Sequence, residues 1–204
     1  MNVIVDVRWP ILEMGKVPLK HQYPLLSAIA RLVPAVHHHN SLGIHPIRGM
    51  RVEPGFLHLT EASTLRIRTP VDQLPKLLVI SGKRLEVGGY PIRLGVPQVL
   101  SLSPCRRVTS HLVTIKGYME LDTFEVGLRR QMDAAAISPS VVVKIGPRRI
   151  LRIKNSAIVG YQVELDGLTP SESLSIQQRG LGGRRHMGCG LFNAVRDTGF
   201  GQED

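Results

Sequence analysis

Cysteine is almost absent from this chain, and aromatic residues, clustered carboxylates and long apolar runs are scarce as well. Cys105 and Cys189 are the two cysteines among 204 residues. They stand far apart, so they provide neither a disulfide framework nor a four-cysteine zinc site. A reducing, cytoplasmic setting is the expectation. No stretch approaches the roughly 18 apolar residues that a membrane-spanning helix requires. No basic amphipathic helix with an aromatic anchor face is found either, so no membrane partner is expected. The opening Met1-Asn2-Val3-Ile4-Val5-Asp6-Val7 alternates like a strand, and Asp6 interrupts the apolar run that a signal segment needs. Aromatic residues make up 4% of the chain, too few for the base-stacking platform of many single-strand binders. The carboxylates are scattered: Glu53 and Glu61 stand apart, and Asp122 with Glu125 falls at a helix start. A metal nuclease needs converging carboxylates and finds little to use here.

What is present points to a folded, basic protein. Apolar residues reach 43%, enough to bury a core, so the chain is not disordered. Its length suits one compact unit or two domains of about 100 residues each. Lys and Arg number 26 against 16 Asp and Glu, a formal charge of +10. Such an excess favours a polyanion, because each neutralised phosphate releases condensed counterions. With few aromatics to spare, recognition of RNA by backbone and shape is expected over stacking.

The hydrophobic pattern predicts strand, helix, two strands, helix, strand, and then the same order again. Residues 2–9 alternate as a strand, and Tyr23 to Leu32 carries Leu25, Leu26, Ile29 and Leu32 on one helical stripe. The segment 34–55, rich in His, Pro and Gly, reads mostly as loop. Phe56–Leu59 and Thr64–Arg68 read as a strand pair, with Leu65 and Ile67 pointing one way and Arg66 and Arg68 the other. Val71 to Ile80 reads as a second helix with Pro75 early in it. Gly88-Gly89 predicts a hairpin between Lys83–Val87 and Tyr90–Leu94.

In the second half, Arg107–Tyr118 is strand-like, and a helix follows with Asp122 as N-cap and Phe124, Leu128, Met132 and Ala135 on its apolar face. A hairpin is predicted across Gly146-Pro147, placing Arg148, Arg152 and Lys154 on one face. Ile158–Leu165, a short helix from Pro170 to Gln178, and a terminal strand Leu191–Val195 complete the pattern. The expected fold is α+β: two tandem βαββαβ, ferredoxin-like (RRM-like) domains, residues 1–103 and 104–195, with 196–204 as a tail.

Two stretches carry candidate chemistry. Residues 180–190 combine glycines, among them Gly180, Gly182 and Gly183, with Arg184, Arg185 and His186. Glycines let a backbone approach phosphate closely, and arginines supply charge. The stretch lacks the Gly-Lys-Ser/Thr of a P-loop, and it follows a helix rather than a strand, unlike a dinucleotide fingerprint. A tight structural crossover is the plain alternative. His37, His38, His39 and His45, with His21 and Tyr23 upstream, form the second stretch. Neutral imidazole is a natural general base near pH 7, and its conjugate acid can protonate a leaving oxygen. RNA carries its own nucleophile, the 2′-hydroxyl, and a cation beside the phosphate stabilises the transition state. A solvated loop is the plain alternative for these histidines. His37, His39 and His45 offer nitrogen ligands for zinc, but no Asp, Glu or Cys lies close to complete the shell. Neither metal nor cofactor is expected. Arg106, Arg107, Lys116, Arg129, Arg130, Arg148 and Arg149, with Lys144, concentrate positive charge in 106–154 and predict an RNA-binding face.

The segment Gly180-Leu181-Gly182-Gly183-Arg184-Arg185-His186-Met187-Gly188-Cys189-Gly190-Leu191-Phe192 resembles the C-terminal glycine-rich loop of the CRISPR-associated repeat endoribonucleases, the Cas-six family. The likeness is to the short branch of myxobacterial CRISPR loci. Val17-Pro18-Leu19-Lys20-His21-Gln22-Tyr23, Leu42-Gly43-Ile44-His45-Pro46-Ile47-Arg48-Gly49 and Val113-Thr114-Ile115-Lys116-Gly117 match it in order, as do Val159-Gly160-Tyr161 and Glu172-Ser173-Leu174-Ser175-Ile176-Gln177. The resemblance implies tandem ferredoxin-like domains and metal-free cleavage of CRISPR repeat RNA. It also implies retention of the guide RNA's 3′ handle among the other subunits of a type I surveillance complex. The family's base is commonly a His shortly after the first helix, with a Tyr assisting. That implies His37 here, His45 second, His38 and His39 as alternatives, and Tyr23 upstream. Lys16, Lys20 and Arg48 are candidates for the assisting cation, and Lys20 stands where an acidic residue was expected. A non-catalytic RNA-binding scaffold of the same fold is the competing reading.

Overall fold

A computed structural model of the chain describes residues 3–37, 42–153 and 156–195, without the side chains of His37, Arg152 and Ser156. The chain gathers into two compact units. The first comprises Met1–Leu102, Ile150–Ile158 and Arg184–Cys189; the second comprises Ser103–Arg149, Val159–Gly183 and the chain from Gly190.

In the first unit, β1 (Ile4–Pro10) is followed by β2 (Lys16–Pro18), α1 (Gln22–Leu32), a 3-10 turn at Pro34–His37, β3 (Gly43–Ile44), β4 (Phe56–His58) and β5 (Thr64–Pro70). Next come a 3-10 turn at Val71–Gln73, α2 (Leu74–Leu78), β6 (Arg84–Val87), β7 (Tyr90–Arg93) and β8 (Gln98–Ser101). The main sheet has the order β3-β5-β1-β8. Counting only these four strands, that is 2-3-1-4, the order of the split βαβ plan. Val5, Val7 and Trp9 on β1 and Leu65 and Ile67 on β5 are buried on one face, as the two-residue period requires. Trp9 satisfies its indole N–H on Ser81 Oγ at 2.9 Å. Helix α1 packs on β6 and buries Leu25, Leu26, Ala28 and Ile29.

Two expectations change here. Phe56–Leu59 does not pair with Thr64–Arg68: β4 pairs with β2, and β5 takes β3 as its outer neighbour. A two-residue strand is too short to show a period, so it was hidden inside the predicted loop. The Gly88-Gly89 hairpin forms, but as its own two-stranded ribbon. The sheet's last strand is β8, all four residues of which are exposed, leaving no apolar alternation to reveal it.

The second unit holds β9 (Arg107–Val113), α3 (Leu121–Ala134), α4 (Pro170–Arg179), β12 (Asn193–Ala194) and most of β10 (Val142–Ile153) and β11 (Ser156–Asp166), whose adjoining ends, Ile150–Ile158, count with the first unit. Its sheet order, β10-β11-β9-β12, is again 2-3-1-4. Phe124, Leu128, Met132, Tyr161, Val163, Ile176 and Phe192 belong to one buried core. Phe124 and Tyr161 meet with ring centroids 4.7 Å apart. Thr169 opens α4 with a capping box, exchanging bonds with Glu172. Helix α3 starts at Leu121 with Glu120 as cap, a residue or two before the predicted Asp122.

The hairpin expected at Gly146-Pro147 is not there; β10 runs through both residues to Ile153. As an edge strand, β10 tolerates a proline whose missing N–H is not needed by a neighbour. Gly146 lies against Gln162, where a Cβ would stand 3.2 Å from the Gln162 Cβ. The shared face expected of Arg148, Arg152 and Lys154 involves positions outside the described side chains, and the tail from 196 on lies outside the described residues. Among the described residues no helix is long and apolar enough to cross a membrane.

Gly188 fixes the tip of the glycine-rich segment within the first unit. Its φ is +81°, and a Cβ would stand 2.8 Å from Pro46 Cγ and Cδ. Gly188→Ala should therefore lower stability by about 1–3 kcal/mol through strain and overpacking. A urea midpoint equal to wild type would show that the segment can relax away from Pro46.

Candidate functional site

On β1 the side chains opposite to Val5, Val7 and Trp9 are Asp6 and Arg8. The β1–β5 register sets Asp6 opposite Arg68 and Arg8 opposite Arg66. All four therefore share one face of the sheet. Asp6 and Arg68 are buried, 6% and 1% exposed. They make a bidentate pair: Arg68 Nε donates to Asp6 Oδ1 at 2.8 Å and Arg68 Nη2 to Oδ2 at 2.9 Å. Arg66 Nη1 approaches Asp6 Oδ2 at 3.7 Å.

His45 follows β3 directly. Its backbone N–H donates to the Arg66 carbonyl at 2.9 Å, which draws its ring onto the same face. Arg66 Nη2 lies 2.9 Å from His45 Nδ1. A guanidinium cannot accept, so Nδ1 is the acceptor and the ring proton sits on Nε2. Nε2 stands 3.8 Å from Asp6 Oδ1, beyond hydrogen-bonding reach. Burial holds the imidazole well below its ordinary pKa, and Arg66, Arg68, Arg48 and Arg185 push the same way. His45 is thus neutral, and the approach to Asp6 is not an ion pair. Its basic lone pair is already engaged by Arg66.

His21 is similarly committed. Its Nδ1 donates to the Pro18 carbonyl at 3.0 Å, and its Nε2 accepts the Ile47 N–H at 2.9 Å. The ring is 2% exposed. Burial lowers its pKa, partly opposed by the Pro18 and Leu19 carbonyls. It ties the start of α1 to the segment after β3. Tyr23 is half-buried in the first turn of α1. His37 ends the 3-10 turn after α1; His38 and His39 lie outside the described residues.

The glycine-rich segment divides in its duties. Gly180 caps α4 and donates to the Ile176 carbonyl at 2.8 Å. Gly182 N–H donates to Gln131 Oε1 at 2.6 Å, and Gly183 N–H to the Thr114 carbonyl at 2.9 Å. These three N–H groups serve the second unit's fold, so a phosphate could take them only by displacement. Gly182 has φ +77°, and a Cβ there would run into the Thr114 carbonyl. Arg184, also left-handed at φ +60°, is exposed. Arg185 is buried in the first unit at 8% exposure; burial, with Arg68 adding to it, brings its pKa down to about 10. Cys189 is fully buried, and desolvation pushes its thiol up to about 12, so it is inert.

The cations predicted on the second unit occupy several elements. Arg106 is exposed and 3.5 Å from Asp166; Arg107 is half-buried at the start of β9. Lys116 is exposed between β9 and α3. On α3, Arg129 donates to the Val141 carbonyl at 3.3 Å, and Arg130 is exposed. On β10, Arg148 reaches Glu120 at 4.0 Å and Arg149 donates to Gln162 Oε1 at 3.1 Å. Among the described residues no group of His, Cys, Asp and Glu could hold a metal ion.

The cluster that sequence reasoning missed is Asp6, Arg66 and Arg68. Its signal was a carboxylate interrupting an apolar strand and two arginines at alternate positions of another. What could not be read was their pairing across 62 residues.

Residues 5–197 match the family described as Cas6 Crispr. The chain is also 38% identical over 192 residues to the CRISPR-associated endonuclease Cas6 of Myxococcus xanthus, covering 94% of this chain and 82% of that protein. The chain belongs to the Cas6 family. Its fold is similar to that of a Cas6-related protein from Pyrococcus furiosus, with a TM-score of 0.66 and 14% identity over 97% of this chain and 100% of that one. It is also similar to Thermus thermophilus Cse3 bound to an RNA representing a pre-cleavage complex, with a TM-score of 0.56 and 13% identity over 95% of this chain and 100% of that one. At such identities the likeness is one of fold. Tandem ferredoxin-like units are thus the fold of this Cas6 family member.

Asp6→Asn in this Cas6 chain removes the charge that offsets buried Arg68 and should cost about 3–5 kcal/mol. A thermal midpoint within a degree or two of wild type would mean that other groups carry Arg68. A second expectation concerns acid. The folded pKa values of His21 and His45 lie below 6.5, so the unfolded chain binds protons that the folded chain refuses. Stability is full above that pH and falls below it, by up to about 1.4 kcal/mol per pH unit for each imidazole. Unfolding free energies between pH 7 and 5 should show this slope, and His45→Gln should flatten it. An unchanged slope in that variant would refute the assignment to His45.

Proposed function

We propose that the protein is an endoribonuclease that cuts CRISPR precursor RNA within its repeats, without a metal, to release guide RNA. The observation that carries this is the 38% identity, over 94% of the chain, to a relative named as a CRISPR-associated endonuclease. The +10 charge fits an RNA partner.

In this reading His37 takes the proton from the ribose 2′-hydroxyl. The freed oxygen forms a bond to the neighbouring phosphorus as the bond from phosphorus to the 5′-oxygen breaks. A 2′,3′-cyclic phosphate forms, and the departing oxygen leaves as a 5′-hydroxyl after protonation. Tyr23 assists from the first turn of α1. The commitments of His21 and His45 support His37 as the base: both ring nitrogens of His21 are bonded, and the lone pair of His45 accepts from Arg66. Arg184, exposed beside Gly183, grips the strand, and Arg106, Arg107, Lys116, Arg130 and Arg148 extend the interface. The protein then stays on the 3′ handle as a subunit of a type I surveillance complex.

His37→Ala should reduce single-turnover cleavage of the organism's repeat RNA by about 10²–10⁴-fold, the usual share of general acid–base catalysis, while binding survives. EDTA should change nothing, and a 2′-deoxy nucleotide at the cut should block it. Cleavage of that deoxy substrate would exclude 2′-hydroxyl attack. Wild-type protein that binds the repeat but never cuts it would be the non-catalytic scaffold instead.

A further inference from the structure

The β2–β4 ribbon holds a cluster of titratable groups that the proposed cut leaves unused. Lys16 and His58 stand directly opposite each other across it. Glu53, in the turn that leads into β4, bonds to both. Lys16 Nζ donates to Glu53 Oε1 at 3.1 Å and Oε2 at 2.9 Å, and His58 Nε2 donates to Oε2 at 3.3 Å. These bonds, the one from Lys16 foremost, hold the Glu53 carboxyl below the usual carboxylate range. An ionised carboxylate only accepts, so Nε2 carries the ring proton and Nδ1 the lone pair. Nδ1 has no partner among the described residues, and the His58 side chain is 37% exposed. His21 and His45 differ in that their lone pairs are already engaged.

The backbone fixes all three residues. His58 exchanges two backbone bonds with Met50, each 2.9 Å, and pairs with Lys16 on its other side. Phe56 N–H donates to the Glu53 carbonyl at 3.2 Å and closes the turn. The Lys16 ammonium lies 4.2 Å from the centroid of the Phe56 ring, whose other neighbour is Tyr90, edge-on at 5.3 Å. That cation–π contact keeps Nζ beside the carboxylate. Glu53 takes two bonds from an ammonium that has three N–H groups, so one remains. A cross-strand ion pair accounts for Lys16 and Glu53, but it has no need of an imidazole with an idle lone pair. Base, orienting carboxylate and adjoining cation are the parts that phosphoryl hydrolysis requires.

We propose that His58, oriented by Glu53 and aided by Lys16, opens a 2′,3′-cyclic phosphate at an RNA 3′ end by activating water. The inference rests on the endoribonuclease reading, in which the cut leaves such an end on RNA that stays bound. His58 Nδ1 takes a proton from water as the water oxygen bonds to phosphorus. The bond from phosphorus to one of the two ribose oxygens breaks, and that oxygen receives the proton from Nδ1. One water is consumed, a phosphate monoester is left, and nothing is oxidised or reduced. The remaining N–H of Lys16 stabilises the charge that builds on the phosphoryl oxygens. Glu53 touches no reacting atom; it is a positioning residue that holds the imidazole in one tautomer.

The test supplies the end directly, as a synthetic oligoribonucleotide of the repeat that closes in a 2′,3′-cyclic phosphate. Phosphorus NMR follows its opening by the full chain. Wild type should convert the cyclic signal to that of a monoester. His58→Ala should slow this by about 10²-fold or more, and added imidazole should restore part of the rate. Glu53→Gln should slow it as well, because an amide can donate to Nε2 and favour the wrong tautomer. Both variants should cut repeat RNA as wild type does, since neither side chain serves the cut. Opening at the wild-type rate in His58→Ala would overturn the proposal and leave the cluster as a tie between β2 and β4. Wild type that cuts repeat RNA but leaves the cyclic end intact would overturn it too, with the nuclease reading still standing. If repeat RNA is never cut but the synthetic end opens in a His58-dependent way, the site stands and the nuclease reading falls.

Discussion

The buried bond between Asp6 and Arg68 sets the geometry of everything around it. Two charges taken out of water cost several kcal/mol each before their attraction is counted, so such a pair adds little net stability. Its value is in register. Side chains alternate across a strand, so slipping β1 by one residue against β5 would turn Asp6 into the apolar layer of Val5, Val7 and Trp9. An unpaired carboxylate there is prohibitive, and the correct register is the one that survives. From that register follow the opposition of Arg8 and Arg66 and the carbonyl of Arg66 that receives His45. One ion pair thus positions two strands, one loop and four side chains.

Within that frame the histidines separate by what their nitrogens already do. An imidazole can act as a base only through a lone pair that nothing else holds. His21 uses both nitrogens to join α1 to Ile47, and His45 gives its lone pair to Arg66. Both are kept neutral by burial, and in sequence they stand on either side of the His-rich stretch. The resemblance ranks His37 first and His45 second; hydrogen bonding shows that His21 and His45 act as tethers. The glycine-rich segment divides in the same way. Its N–H groups at Gly180, Gly182 and Gly183 close the second unit's backbone, while Arg185 is buried in the first unit. Glycine there answers close approach of other backbone, as at Thr114, at least as much as any ligand.

What the sequence discloses is what repeats over enough residues. The eleven residues of α1 declare themselves by a stripe, β5 by alternation, and α4 by the proline at its start. Strands of two to four residues, such as β3 and β8, have no room for a period, and their existence depends on neighbours supplied by the rest of the fold. Gly146-Pro147 carries the strongest turn residues available and yet lies inside a strand. Position on a sheet edge is a tertiary fact, and it removed the penalty that proline usually imposes. The same limit applied to the site. Asp6, Arg66 and Arg68 were visible as anomalies in their strands, but nothing local tells which carboxylate meets which guanidinium.

Net charge also means less once burial is known. Arg68 and Arg185 count toward the +10 but are buried in the first unit, where they meet little solvent. Attraction for a polyanion comes from the exposed set, including Arg8, Arg48, Lys116, Arg130, Arg148 and Arg184. Salt screens such charges over about 10 Å at 0.1 M, whereas buried pairs are screened far less. Affinity for RNA and stability of the fold should therefore respond to salt through different arginines, although composition counts them alike. This chain holds one population of guanidiniums inside, where they fix its strands, and another at the surface, and burial tells the two apart.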